Sequence, residues 1–454
     1  MQQRTIFGRH YALAVVAVIF VALLAAAGLR STPGVLMVPW EEAFGWSRGT
    51  ISFAAACGIF LFGLTGPFAA AAMQRFGIRT TVIAALGMMS LSSFASLFMT
   101  QPWQLVVTWG LVSGIGSGCI CLIGAGQLEE GFKEYEIRND QRFRSYFHHI
   151  IDAPKWAGED LTGKKILVVG EQGLGDEFMF ANILPDVQAA VGDSGKLQIC
   201  VDHRLVSLFQ RSFPKAEVGT YDDKTLIDMD GNKALRLVPF ASKENKPDLW
   251  SPIGSALQVY RNNLADFPHK PFLMADPTRV SGFKRQLDAM GPEKKIGLCW
   301  RSMMLGAKRA KYFSPIDHWG PVLQTPGVTF INLQYGDCAA EIARAEEKFG
   351  IKIHQMEGLD LKDDIDGAAA LCAALDLVLS APTAAAATAA SVGTKVWFLT
   401  AGRTWPQLGT PEYPWYADTR VLSPEKFGDW NTLMPDVADE LEVFASNAVR
   451  RELA

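Results

Sequence analysis

Charge is divided very unevenly along this chain of 454 residues. Residues 1–128 carry six arginines and two glutamates, and the other 82 acidic and basic side chains all follow Leu128. No formal charge falls between Arg79 and Glu129. That gap is too long for one bilayer crossing, and Thr100-Gln101-Pro102 interrupts it as a turn does. A chain that changes solvent in this way predicts a membrane segment joined to a water-exposed one. Four transmembrane helices are expected, over residues 11–29, 51–73, 81–99 and 105–123, each forming its backbone hydrogen bonds internally as lipid demands. The first is long enough at about 1.5 Å per residue to span the hydrocarbon. Arg30 follows it without a small-residue cleavage pattern, so an uncleaved span is expected in place of a secretory leader.

Arg4 and Arg9 precede the first span, and Arg75 and Arg79 crowd the turn between the second and third. Positive charge marks the cytoplasmic side. An inner (cytoplasmic) membrane location therefore follows, the lipid bilayer being the first partner, and the fourth crossing returns the chain to the cytoplasm. Gly110, Gly114 and Gly118 leave a bare strip on the fourth span, where other membrane helices can approach closely. The front part is net positive and the remainder net negative. No basic stripe interleaved with aromatics appears, so a nucleic-acid partner is not expected. Seven cysteines, an odd count without a CxxC pair, read as reduced and buried. His148-His149 has no Cys or acidic residue at ligand spacing, so no metal is expected.

Ser31-Thr32-Pro33-Gly34-Val35, Phe44-Gly45-Trp46-Ser47-Arg48 and Gly66-Pro67, followed by Gln74-Arg75-Phe76-Gly77-Ile78-Arg79, resemble the first third of a major facilitator superfamily transporter, the last run matching the family's loop signature. The resemblance implies that Gly66, Arg75, Gly77 and Arg79 form a membrane-loop motif whose arginines pair with carboxylates and helix ends. Gln74 stands where the family has an acid. The family also implies a second half against which the first rocks. Four spans supply no such partner, which favours an anchor over transport by this chain alone.

Residues 126–153 form a junction. Leu128, Phe132 and Tyr135 share one helical face and charges occupy the others, predicting an amphipathic helix. Its Gly-x-x-x-Glu-Gly-x-x-x-Tyr-Glu pattern resembles the last helix of a tetratricopeptide array. One half-repeat makes no solenoid, and the abrupt change of composition looks like a fusion point.

Beyond residue 161, apolar β-rich runs at 166–169, 197–201, 296–300, 328–333, 377–380 and 396–399 alternate with helical stretches at 177–190, 205–212, 339–349, 367–374, 384–392 and 435–453. Such alternation predicts parallel sheets covered by helices, in two doubly wound lobes with a cleft between them. The first strand runs into Gly170-Glu171-Gln172-Gly173-Leu174-Gly175-Asp176, where a helix N-terminus and a glycine turn can meet a phosphate, or simply let strand and helix pack closely. Phe178 occupies the third-glycine position of a dinucleotide fingerprint, so a nicotinamide enzyme is not expected. Arg301, Lys308, Arg309 and Lys311 follow the second lobe's first strand, where cations can neutralise a diphosphate or merely form a solvated loop.

Seven blocks in order, from Gly163-Lys164-Lys165 and Glu171–Asp176 through Ala275-Asp276-Pro277, Ile296–Arg301, Gly327–Gln334 and Leu375–Ser380 to Gly393–Trp397, make this stretch similar to the glycosyltransferase-like domain that follows tetratricopeptide repeats in bacterial proteins. That domain is related to lipopolysaccharide heptosyltransferases. The resemblance implies an α/β GT-B fold of two Rossmann-like lobes, 154–285 for the acceptor and 286–454 for a nucleotide-sugar donor. It implies Asp176 as the general base, at a helix end whose dipole favours its ionised form; a helix-capping aspartate fits the same position. Gly173, Gly175, Arg301, Lys308, Arg309 and Thr383 are the donor- and phosphate-binding candidates. The donor loop departs from the family, with Pro382 in place of its aspartate and Ala387 in place of its histidine. The expected activity is sugar transfer from a nucleotide-sugar to a glycan or protein acceptor, with no cofactor. The competing expectations are a transporter fragment carrying a passenger and a non-catalytic binding module.

Overall fold

The structure, a computed structural model, describes residues 128–139, 147–228, 231–303 and 307–452. These belong to the unit Leu122–Ala454. The expected membrane spans, with Gly66, Arg75, Gly77 and Arg79, lie outside the described residues. Among those described, no helix is long and apolar enough to cross a membrane.

Helix α1 (Leu128–Tyr135) opens the described chain and continues as a 3-10 turn over Glu136–Asn139. Strand β1 (His148–Ile150) follows, then β2 (Lys165–Val169), α2 (Leu174–Phe180), α3 (Leu184–Val191), β3 (Lys196–Val201), α4 (Val206–Ser212), β4 (Glu217–Thr220), β5 (Asp222–Asp228), β6 (Gly231–Leu237) and β7 (Leu249–Pro252). The first sheet has the order β4-β3-β2-β7 and is parallel throughout. Both faces of β2 are covered, which is why its sequence is an unbroken apolar run. Ile166 and Val168 enter the main hydrophobic cluster, whereas Leu167 and Val169 pack with Cys200 and Val238 on the other side. A three-stranded sheet of order β1-β6-β5 lies outside that expected alternation. It pairs an antiparallel hairpin with β1, which runs parallel to β6. Its strands lack the apolar run that marks a buried strand.

Helix α5 (Pro277–Asp288) leads to the second sheet, and Asp276 caps it by accepting hydrogen bonds from the N–H groups of Thr278 and Arg279. Strands β8 (Lys294–Cys299), β9 (Val328–Asn332), β10 (Ile353–His354), β11 (Leu377–Ser380), β12 (Val396–Leu399) and β13 (Thr419–Leu422) alternate with α6 (Ala339–Phe349), α7 (Ile365–Ala374) and α8 (Ala384–Ser391), and α9 (Trp430–Glu452) closes the chain. The sheet order is β10-β9-β8-β11-β12-β13, all parallel. Buried Trp430, Leu433, Met434, Val437 and Leu441 form one stripe of α9 against the sheet, each such side chain contributing about 1.5–3 kcal/mol of burial. The two parallel, helix-covered sheets are the α/β arrangement expected.

The order of each sheet reverses once. In the first the chain moves from β2 outward to β4 and returns on the other side as β7; in the second it moves from β8 to β10 and returns as β11. Crevices form beyond the carboxyl ends of strands at such switch points. The loops after β2 and β7, and those after β8 and β11, are therefore the places where the fold supplies sites.

Candidate functional site

The loop after β2 is built on buried carboxylates. Glu171 is 4% exposed and accepts from Arg138 at 2.9 Å (Nε) and 2.6 Å (Nη2), and from the Gly254 N–H at 2.7 Å. This last bond ties the two strand ends of the switch point together. A Cβ at Gly254 would stand 2.4 Å from the Glu171 carboxylate, so the approach requires glycine. Six residues on, Glu177 is fully buried beneath Gly170 and accepts from the Tyr221 hydroxyl and, at 3.1 Å, from the Asp202 N–H. Burial pushes its pKa up to about 7 against these hydrogen bonds.

Between these two structural carboxylates, Asp176 faces the cleft. The helix begins at Leu174, so Asp176 sits in its first turn and its carboxylate accepts the Gly173 N–H at 3.3 Å. It does reach back to the helix start as a capping aspartate does, but the expected ionising influence of the helix end does not prevail. Burial raises its pKa to about 6, and the nearby Glu171 adds to that, while the Gly173 N–H and the charge of Arg309 pull downward.

At the second switch point Thr383 precedes α8, yet its hydroxyl turns inward, 3.4 Å from Cys299 Sγ and 3.3 Å from Ser380 Oγ, and does not cap the helix. Helix α8 begins with four alanines and packs against α2. An ideal Cβ on Gly175 would lie 3.9 Å from the backbone of Ala384. Pro382 and Ala387 therefore border a region where the two lobes meet through small side chains.

One cleft of about 440 Å³ joins these parts. Gly173, Gly175, Asp176, Arg309, Pro382, Thr383 and Ala387 all line it. Lys308 has no described side chain. Arg301 is not among the lining residues: its guanidinium is held by Glu341 and donates to the Asp337 carbonyl at 2.8 Å. The strand-end position that suggested Arg301 does not specify where a long side chain turns, and the first turn of α6 offers a carboxylate. Lys311 also lies outside the lining, its ammonium 5.1 Å from the Tyr312 ring.

Residues that the sequence reading did not single out complete the cleft. Arg204 joins the lobes by donating to the Lys362 carbonyl at 3.2 Å while paired with Asp202 at 2.9 Å. Trp405, Tyr413 and Tyr416 form an aromatic wall. Burial raises the pKa of Tyr413 to about 12, and its hydroxyl lies 2.8 Å from Thr404 Oγ1. The signal for this wall was present in the aromatic density of residues 405–416, which no helix or strand period explains. Chemically, the cleft combines a proton-accepting carboxyl, one exposed guanidinium and a largely apolar floor. It can seat a flat, partly apolar ligand carrying negative charge.

Comparison with known proteins divides the chain in two, as the resemblances did. The Major Facilitator Superfamily model matches residues 19–135, ending within α1. The chain is 44% identical over 327 residues to Protein FlbA of Caulobacter vibrioides, an alignment covering 72% of this chain and 54% of FlbA. It thus spans about half the length of that curated relative. Among solved structures it is similar to a glycosyl transferase family 9 protein of Veillonella parvula, at 12% identity and TM-score 0.45 over 65% of this chain and 100% of that one. It is also similar to the E. coli ADP-heptose lipopolysaccharide heptosyltransferase II, at 14% identity and TM-score 0.42 over 63% of this chain and 99% of that one. The family match thus lies in the opening 135 residues, ahead of every described strand.

Proposed function

We propose that this chain is a glycosyltransferase-like protein held at the cytoplasmic membrane by its opening residues, with the cleft facing the cytoplasm and taking a nucleotide-sugar. The observation that carries the reading is the meeting of Asp176, Gly173, Gly175, Arg309 and Thr383 on one cleft, fed by the switch points of both lobes. Asp176 takes the proton of an acceptor hydroxyl. The acceptor oxygen then bonds to the anomeric carbon as the bond from that carbon to the diphosphate breaks. Arg309 faces the negative charge that develops on the departing diphosphate. A carboxyl whose pKa is raised to about 6 is a stronger base than an ordinary aspartate and is still mostly ionised at neutral pH. The aromatic wall supplies apolar faces for a base or sugar ring. The acceptor is a glycan or a protein hydroxyl.

The test uses the full chain in detergent, with ADP-heptose, the donor in the name of the similar E. coli heptosyltransferase, followed by other nucleotide-sugars. Donor binding with turnover, and a loss of turnover of about 100-fold or more in Asp176→Asn at unchanged donor affinity, supports the reading. Absence of binding at millimolar nucleotide-sugar refutes it and leaves the lobes a non-catalytic module.

A further inference from the structure

The segment that leads into the lobes is fastened to the loop that leads to Asp176. Phe132 of α1 is buried and meets Trp415 edge-on at 6.3 Å; Trp415 in turn touches Phe180 at the end of α2 and Trp405 in the cleft wall. Tyr135 packs edge-on against Phe180, 6.3 Å between ring centroids, with the Arg138 guanidinium 4.0 Å above its ring. The hydroxyl of Tyr135 accepts a hydrogen bond from the Gln172 side-chain amide. Arg138, 3% exposed, grips Glu171 through two hydrogen bonds. Consecutive loop residues, Glu171 and Gln172, are thus held by side chains of the joint, and Gly173, whose N–H the Asp176 carboxylate accepts, is the next residue.

Gln172 makes this arrangement informative. Its φ is +64°, in the left-handed region that a side chain with a Cβ adopts only at a cost. Glycine would take that conformation freely, yet the chain places a glutamine there and binds its amide to Tyr135. A non-glycine residue persists at positive φ when its surroundings over-determine it. We propose that the joint, residues 128–139, is a positioning element of the cleft, Tyr135 and Arg138 setting the backbone of residues 171–173 and hence the place of the Asp176 carboxylate. The inference rests on the reading of the cleft given above for its consequence in turnover, and on the geometry alone for its consequence in the loop.

Two variants of the full chain in detergent test it. Tyr135→Phe keeps the ring on Phe180 and removes only the acceptor for Gln172. Arg138→Met combined with Glu171→Gln removes the ion pair while leaving an amide oxygen to accept the Gly254 N–H. Hydrogen–deuterium exchange in the peptide covering residues 170–180 is expected to quicken about tenfold in both, with β3 and β12 unchanged as scaffold controls. With the nucleotide-sugar that the wild type turns over, kcat is expected to fall about tenfold while donor KM holds within twofold, the signature of a misplaced base. Unchanged exchange over 170–180 in both variants overturns the positioning role. Quickened exchange beside a wild type that turns over no nucleotide-sugar sinks the transferase reading and leaves the positioning role standing.

Discussion

The two switch points occupy equivalent places in equivalent lobes and are built from opposite chemistry. After β2 the chain presents three carboxylates within seven residues, two of them buried and hydrogen-bonded and the third turned to the cleft. After β11 it presents proline, threonine and a run of alanines, and the threonine hydroxyl is turned inward. The first place spends folding stability to hold charge; the second gives up charge and gains close packing of α8 on α2. A parallel sheet dictates where a site lies, because strand ends and helix starts converge there. It does not dictate which polar groups are supplied. Here the first place brings one carboxylate to the cleft, and the second lines it with Pro382, Thr383 and Ala387, beside Arg309 and the aromatic wall.

The sharpest way to break this contrast is Glu171→Ala, which strands Arg138 and the Gly254 N–H in the interior. A loss of about 3–5 kcal/mol is expected, read as a lower melting temperature of the full chain; a loss below about 1 kcal/mol denies that the first switch point depends on buried charge. Next is Ala384→Leu. If small side chains are what lets α8 meet α2, the added bulk costs about 1–3 kcal/mol and weakens ligand binding in the cleft, whereas an unchanged melting temperature shows the contact to be loose.

Asp176→Asn sharpens the comparison from the other direction. The folded-state pKa of about 6 exceeds the ordinary value of 3.8, so the folded chain holds this proton more tightly than the unfolded one, and ionising the group costs stability. Asparagine removes that cost. A gain of about 1–2 kcal/mol is expected above pH 6, after allowing for partial solvent access, shrinking to nothing below about pH 4. A melting-temperature difference that does not vary with pH contradicts the sign argued here. The smallest effect belongs to the half-buried pair between the lobes, Arg211 with Asp366. Arg211→Ala should cost about 1 kcal/mol or less, and added salt should reduce the difference, as screening of an accessible pair requires.

Much of the architecture was legible because parallel strands buried on both faces must be apolar throughout. β2, β3, β8, β9, β11 and β12 fall where those runs lie. β4, β7, β10 and β13 sit outside the strongest runs at or near sheet edges, and the β5–β6 hairpin carries charges that conceal it. In the site, Asp176, Gly173, Gly175 and Thr383 could be placed from sequence because each adjoins a strand end whose position was fixed. Arg301 could not, since its long side chain is claimed by Glu341, forty residues away and invisible to any local pattern. The resemblance singled out Asp176, but no local pattern showed that Glu171 and Glu177 are buried while Asp176 borders the cleft.

By itself the sequence determined that charge gathers in the residues after Leu128 and that this later part alternates strand and helix, because hydropathy and its period act locally and survive without contacts. Only the tertiary structure decided which carboxylates are buried and which borders the cleft, and that the joint helix packs against the loop before Asp176. Those depend on burial and on partners distant in sequence, as when Arg138 meets Glu171 and Tyr135 meets Gln172, and no neighbourhood along the chain encodes them.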